Sequence, residues 1–291
     1  MFKNIAELIE QAKKQDKKIW EIMLDQEAAT TGQDPEAIWE AMAQRYEVME
    51  KAIERGISGV HSRSGLTGGD AKRLYDYIKK GQFLTDQTSL LASCYAVATN
   101  EVNAAMGVIC ATPTAGSSGT VPGVLFALRD SHHLNSEQII EALFTAGALG
   151  YVVANNAIIS GARGGCQAEV GSASAMAAGA AVELMGGGPD QVGHAFAIAL
   201  KNLLGLACDP VGGLVEVPCV KRNAGGAAIA LSAAEMALAG IESRIPADEV
   251  ILAMYNIGIA MPVTIRETAL GGLATTPTGL DWQERIALEE F

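Results

Sequence analysis

The chain has 291 residues, of which 49% are hydrophobic and 19% are charged, and its formal net charge is −12. Enough apolar side chains are present to bury a sizeable core, which excludes an intrinsically disordered chain. The excess of acidic residues, with no basic stripe, argues against binding to nucleic acid or to anionic lipid.

The first predicted element is a charged helical segment at the N-terminus, residues 1–56. It lacks the apolar stretch of a secretory signal, so we expect a cytoplasmic protein. Asn4 is a suitable N-cap. One helical face after it is apolar, formed by Ile5, Leu8, Ile9 and Ala12.

A second helix start follows at Asp34, which can cap, with Pro35 in the first turn and Glu36 favoured by the helix dipole. An apolar stripe at intervals of three or four residues then extends towards Gly56, formed by Ile38, Met42, Tyr46, Met49 and Ile53. Residues 56–71 are rich in glycine and predict a loop.

The middle of the chain, residues 90–240, contains only 15 Asp, Glu, Lys and Arg residues. Such a low charge density indicates either a large buried core or a covered subunit interface. Two uncharged runs, 102–128 and 142–162, are long enough to span a membrane. Their prolines, glycines and asparagines favour a buried core instead.

Helix signals also dominate this middle region. Residues 135–138 form a capping box that opens a helix towards Gly150, and the segments 172–184 and 225–240 are rich in alanine. Alternating strand patterns bounded by hairpin turns are lacking. We therefore predict an all-α fold, a single large helical domain over residues 1–291 with glycine-rich loops that carry the site.

Three glycine-rich stretches interrupt the uncharged region, at residues 110–123, 160–176 and 205–224. Each sets small hydroxyl or amide side chains beside a predicted helix, an arrangement that suits anion binding by backbone N–H groups. None of the three has the spacing of a known nucleotide-binding fingerprint.

The five cysteines divide between these stretches and the predicted core. We predict that Cys166, Cys208 and Cys219 each lie in a glycine-rich loop, whereas Cys94 lies in an apolar run and Cys110 borders the first loop. A cytoplasmic location argues against disulfides, and the spacing is not that of a zinc ribbon. Packing cysteines and a metal cluster with dispersed ligands both remain open.

Several motifs resemble the α chain of bacterial iron–sulfur L-serine dehydratases, from the N-terminal helices to about Gly279. They are CDPVGGLVEVPCVKRNA, GCQAEVGSASAMAA, TPTAGSSGTVPGVL, ATNEVNAA and RETALGGLA. The resemblance implies an all-helical catalytic region that converts L-serine to pyruvate and ammonia. It also implies a 4Fe–4S cluster, whose three ligands match Cys166, Cys208 and Cys219.

Three thiolate ligands would leave one iron open to act as a Lewis acid on the serine hydroxyl. An open iron also makes the cluster sensitive to oxygen, so protein prepared in air can lose it. The resemblance implies a substrate site in the first loop and its neighbours, formed by Thr112, Thr114, Ser117, Ser118, Asn100, Asn103 and Arg222. The two asparagines could equally be structural caps.

Single-chain members of the family have an additional N-terminal domain and a C-terminal cysteine, neither of which occurs in this sequence. We therefore expect the two-subunit type, in which a separate β chain completes the active site and is the expected source of the catalytic base. Within this chain, His61 is the histidine that we consider for that role. The other three, His132, His133 and His194, are interpreted as solvent-facing or core residues.

Other functions remain compatible with the residues. A related iron–sulfur lyase that acts on another amino acid, such as L-cysteine, is one alternative, and a non-catalytic scaffold subunit whose cysteines only pack is another. A pyridoxal-phosphate enzyme needs a lysine in a recognisable setting, which neither Lys201 nor Lys221 has.

Overall fold

The computed structural model describes residues 2–288, and in that part of the chain the backbone forms helices and turns but no β-strand. The prediction of an all-α fold is confirmed. The ends of the predicted domain, residues 1 and 291, lie outside the described residues. The thirteen α-helices described are α1 Ile5–Gln15, α2 Ile19–Thr31, α3 Pro35–Ser58, α4 Asp70–Ile78, α5 Gln87–Ala104, α6 Thr120–His132, α7 Ser136–Asn156, α8 Gly161–Gly164, α9 Ser172–Leu184, α10 Pro189–Lys201, α11 Cys219–Leu238, α12 Ala247–Ala260 and α13 Pro277–Leu288.

The predicted helix starts are confirmed by their caps. Asn4 accepts a hydrogen bond of 2.8 Å from a backbone N–H in the first turn of α1, and Asp34 accepts one of 2.9 Å in α3. At α7, Asn135 and Gln138 bond each other's backbone N–H groups at 2.9 and 3.0 Å. These local bonds satisfy N–H groups that have no partner within the helix.

Helix α9 lies in the centre of the fold, and all of its residues except Leu184 are buried. It packs against α6, α7, α10 and α11. Elsewhere in the core, Gly56 and Gly123 let α3 and α6 approach α5, because an added Cβ would lie within 2.7 Å of its backbone oxygens. The low charge of this region is therefore explained by the core around α9.

Helix α7 is the described helix that is long and apolar enough to cross a membrane by length and composition. In its most apolar window 61% of the residues are buried, and it packs against α2, α3 and α9. The prediction that the run 142–162 belongs to the core is confirmed for the part that lies in α7.

Three helices are capped at their N-termini by carboxylates from distant helices. Glu183 of α9 accepts the N–H groups of Ile19 and Trp20 at 2.7 and 3.2 Å. Glu101 of α5 accepts the N–H groups of the first two residues of α4. Asp248 of α12 accepts the N–H groups of the first two residues of α1. Carboxylates at these positions complement the helix dipole and fix each helix against the core.

Replacing Glu183 with alanine should destabilise the fold, because two buried N–H groups lose their charged acceptor. We expect Glu183→Ala to lower the free energy of unfolding by about 2–4 kcal/mol, measured by urea titration. Glu47 provides the control because its ion pair with Lys51 is exposed. Glu47→Ala should change the free energy of unfolding by less than about 0.5 kcal/mol. Equal losses in the two variants would contradict this role of Glu183.

Candidate active site

Three buried cysteines lie near the N-terminal ends of two core helices. Cys166 directly precedes a π-helical turn that leads into α9, and Cys219 is the first residue of α11. Cys208 lies in the irregular segment between α10 and α11. Because α9 and α11 pack against each other, the ends that carry Cys166 and Cys219 are held close together.

The prediction that all three cysteines lie in loops was wrong for Cys166 and Cys219. The glycines before Cys166 belong partly to α8, where they permit close helix packing. An added Cβ at Gly258 of α12 would lie 2.9 Å from the Cα of Gly164. A glycine required for close packing resembles a loop glycine when only the sequence is known.

The three thiols influence one another's protonation. The Cys208 thiol donates a hydrogen bond to Cys166, which lowers the pKa of Cys166, and the nearby Arg222 guanidinium lowers it further. The same bond, together with burial, raises the pKa of Cys208. Burial, and then the charge on Cys166, raises the pKa of Cys219 to about 12. The three pKa shifts therefore favour deprotonation of Cys166 before that of Cys208 or Cys219.

Two glutamates that sequence reasoning missed lie beside Cys208. One oxygen of Glu169 accepts a 2.6 Å hydrogen bond from the Thr114 hydroxyl, and the other lies 4.0 Å from the Cys208 sulfur. Oxygens of Glu169 and Glu267 and the Cys208 sulfur lie within 4.8 Å of one another. Both glutamates occur inside motifs that carry the family resemblance, GCQAEVG and RETALGG. Their position in these motifs is the sequence feature that could have identified them.

Burial of the Glu169 carboxyl raises its pKa, and the negative charge of Glu267 raises it further. The hydrogen bond from Thr114 opposes this shift because it stabilises the carboxylate. Glu169 is thus a half-buried acid that lies between the 112–119 loop and Cys208.

The 112–119 loop exposes backbone N–H groups. Ser117 and Ser118 are fully buried, and their hydroxyls bond the carbonyl of Thr112 at 3.0 Å and the amide oxygen of Asn100 at 3.2 Å. Their side chains therefore shape the loop. Within residues 2–288, the N–H groups of Ala115 and Gly116 donate to no other residue. Ala115 is exposed and Gly116 is half-buried, so both N–H groups are available to an anion.

Side-chain amides hold this loop from two helices. Asn223 of α11 donates to the Gly116 carbonyl at 2.7 Å and accepts the Gly119 N–H at 3.2 Å. Asn100 and Asn103 of α5 donate weaker bonds of 3.4 Å to loop carbonyls. Their structural interpretation is supported, and Asn223 is the principal anchor that sequence reasoning did not assign.

Arg222 is bound to the segment that carries Cys208. Its guanidinium donates to the Ala207 carbonyl at 2.7 Å and forms an ion pair of 2.9 Å with Asp209. Both side chains are largely buried, so the pair is protected from solvent. Direct contact of Arg222 with a substrate stays a prediction.

The histidines lie away from these bonds. His61 is exposed and pairs with Gly68, and its loop is held by a 2.8 Å bond from Ser64 to Glu216. Its role as a base stays a prediction. The remaining histidines behave as expected, since His132 and His133 are exposed and the half-buried His194 accepts a backbone N–H at 3.3 Å.

The lysines considered for a Schiff base are engaged elsewhere. Lys201 bonds Ser243 at 2.8 Å, and Lys221 forms an ion pair with Asp70. Neither contact resembles a cofactor setting.

The site thus gathers buried thiols, a half-buried carboxyl group and a glycine-rich loop within an all-helical fold. The chain belongs to the serine dehydratase alpha chain family, whose family model "Serine dehydratase alpha chain" matches residues 14–274. The resemblance inferred from the motifs is confirmed.

Individual relatives are similar over nearly the whole chain. "Probable L-serine dehydratase, alpha chain" of Bacillus subtilis (strain 168) is 59% identical over 286 residues, which cover 98% of this chain and 95% of the relative. "L-serine dehydratase, alpha chain" of Peptoniphilus asaccharolyticus is 40% identical, with 96% of each covered. "L-serine dehydratase" of Streptomyces coelicolor (strain ATCC BAA-471 / A3(2) / M145) is 39% identical over 281 residues, which cover 94% of this chain and 60% of the relative.

Differences in burial predict the order in which the thiols react. In metal-free folded protein, Cys110 should react first with a maleimide, because it is half-buried whereas the other four cysteines are buried. Cys94 should be the slow reference, since it is fully buried and burial raises its pKa to about 12. Peptide mass spectrometry after brief labelling measures this order. Equal labelling of Cys94 and Cys110 would contradict it.

Proposed function

We propose that this chain is the catalytic α subunit of a cytoplasmic L-serine dehydratase, which converts L-serine to pyruvate and ammonia. Its family membership supports the reaction, and the names of its relatives support the substrate. The observation that carries the proposal is the convergence of three buried cysteines with a loop that offers free N–H groups. We propose that residues 1–291 act as one catalytic domain.

We further propose that Cys166, Cys208 and Cys219 hold a 4Fe–4S cluster. The chemistry of the donor set supports this, since cysteine thiolates are the usual ligands of such clusters. The close approach of Gly161 also supports it. An added Cβ there would lie 2.9 Å from the Cys208 sulfur and 2.5 Å from Glu169, so a side chain at this position would crowd the thiol. When bound through three thiolates, the cluster supplies a Lewis-acidic iron for the substrate hydroxyl.

The 112–119 loop is the proposed receptor of the substrate carboxylate. The free N–H groups of Ala115 and Gly116 can donate to it, and the Thr112 hydroxyl, whose bond to the Ser118 carbonyl is long at 3.4 Å, can add a third donor. The Thr114 hydroxyl donates to Glu169 and contributes by holding the loop in place. Asn223 keeps the loop carbonyls turned away by bonding one of them. The loop therefore binds and orients the amino acid through groups already held in place.

Removal of the α-proton requires a base, and we propose that a separate β chain contributes it. The name "alpha chain" of the relatives supports a partner. Within residues 2–288, His61 makes no side-chain hydrogen bond to the cysteines or to Glu169. His61 would be the candidate base if this chain formed pyruvate without the β chain.

Serine substitution tests the cluster. After anaerobic reconstitution, the wild-type chain should be brown and contain about four iron atoms. Cys166→Ser, Cys208→Ser and Cys219→Ser should each lose most of the iron and colour because serine is a poor ligand for it. Cys94→Ser and Cys110→Ser are the matched controls and should retain both. A colourless wild-type chain would support a scaffold role instead.

Substrate kinetics test the loop and the partner together. Thr114→Val removes the hydroxyl that joins the loop to Glu169, so we expect the KM for L-serine to rise roughly 10-fold in the reconstituted complex with the β chain. Thr30→Val removes an exposed hydroxyl on α2 that bonds its own helix, and it should leave KM unchanged. Pyruvate formation without the β chain would contradict a shared active site, and faster turnover of L-cysteine would change the proposed substrate.

A further inference from the structure

The irregular segment after α12, residues 262–273, pairs with the backbone around Cys208; we call it the strap. The Cys208 N–H donates to the carbonyl of Ile265 at 2.8 Å, and the Glu267 N–H donates to the carbonyl of Cys208 at 2.7 Å. Both backbone groups of Cys208 are therefore satisfied by the strap, in a short parallel bridge to Arg266.

Cys208 depends on such support more than the other two cysteines do. Cys166 and Cys219 are fixed by the starts of helical segments, whereas Cys208 lies in irregular chain between α10 and α11. A residue outside regular structure is positioned only by the contacts that its own backbone and neighbours make.

Asp209 joins the strap to α11. Its carboxylate accepts the N–H of Leu273 at 2.8 Å and pairs with Arg222 at 2.9 Å, and only 7% of the side chain is exposed. Gly272 allows the strap to approach Asp209 closely. Its φ is +62°, and an added Cβ would lie 2.4 Å from an oxygen of Asp209.

Two residues of the strap adopt a disfavoured backbone conformation. Glu267 and Ala269 have φ values of +63° and +56°, in the left-handed region that side chains other than glycine disfavour. Such a backbone persists where surrounding contacts determine it. In the strap, these contacts are made with Cys208 and Asp209. They also place the Glu267 carboxylate near the Cys208 sulfur.

We infer that Asp209 and Gly272 are positioning residues, which seat the strap against Cys208 and so fix its thiol beside Cys166 and Glu169. The inference rests on the proposed function only in treating Cys208 as a cluster ligand. The seating itself is a property of the metal-free chain.

The test variant is Gly272→Ala in the full chain, since the added methyl group forces the strap away from Asp209. In metal-free protein, maleimide labelling of Cys208 should become at least about tenfold faster, while labelling of Cys94 stays unchanged. The matched control is Gly186→Ala, whose φ of +88° carries a similar backbone penalty but whose added Cβ meets no atom within 4 Å. Cys208 labelling at the wild-type rate in a folded Gly272→Ala chain would overturn the inference.

Hydrogen exchange of the wild-type metal-free chain provides a measurement that needs no variant. The amide protons of Cys208 and Glu267 should exchange slowly and at the same opening rate, because both open when the strap leaves. Rapid exchange of the Cys208 amide would overturn the inference even if Gly272→Ala does not fold.

Iron binding separates this inference from the proposed function. Gly272→Ala should retain less than about half of the iron of the wild type after reconstitution, and Gly186→Ala should retain all of it. If the wild type binds no iron but Gly272→Ala still exposes Cys208, the cluster proposal fails and the strap remains. If iron is retained and labelling is unchanged, the strap has no positioning role.

Discussion

Burial of several acidic groups in one small volume is the constraint on which this structure depends. Cys166, Cys208 and Cys219 are buried and the half-buried Glu169 lies beside them, so each negative charge raises the cost of the next. Hydrogen bonds between the thiols and from Thr114, together with the Arg222 guanidinium, offset part of that cost. The cluster proposed above would offset more of that cost, because its iron ions are cations bound by the thiolates.

The fold meets this constraint with small side chains and distant caps. The central helix α9 is buried almost throughout, so that α11 can pack closely against it and bring Cys219 near Cys166. The same α11 carries Asn223, which anchors the anion-binding loop through Gly116. One helix thus fixes both a thiol and the loop, so under the proposed function a single rigid element would set the distance between the cluster and the substrate carboxylate.

Local features of this fold could be predicted from the sequence, whereas contacts between distant segments could not. The caps at Asn4 and Asp34 involve neighbours two or three residues away, so their signal is contained in short stretches. The bond between Thr114 and Glu169 joins residues 55 positions apart, and that between Asn223 and its loop spans 107. No periodicity encodes such pairs. The cysteines themselves were singled out by family resemblance, because their spacing alone left simple packing open.

The central claim is that three cysteines of this chain hold a cluster with one iron open to the substrate. Mössbauer spectroscopy of the anaerobically reconstituted, iron-57-labelled complex tests it most directly, because it distinguishes individual iron sites. We predict a 4Fe–4S spectrum in which L-serine changes the signal of one iron in four. A cluster spectrum that L-serine leaves unchanged, or an absence of cluster iron, would contradict the account.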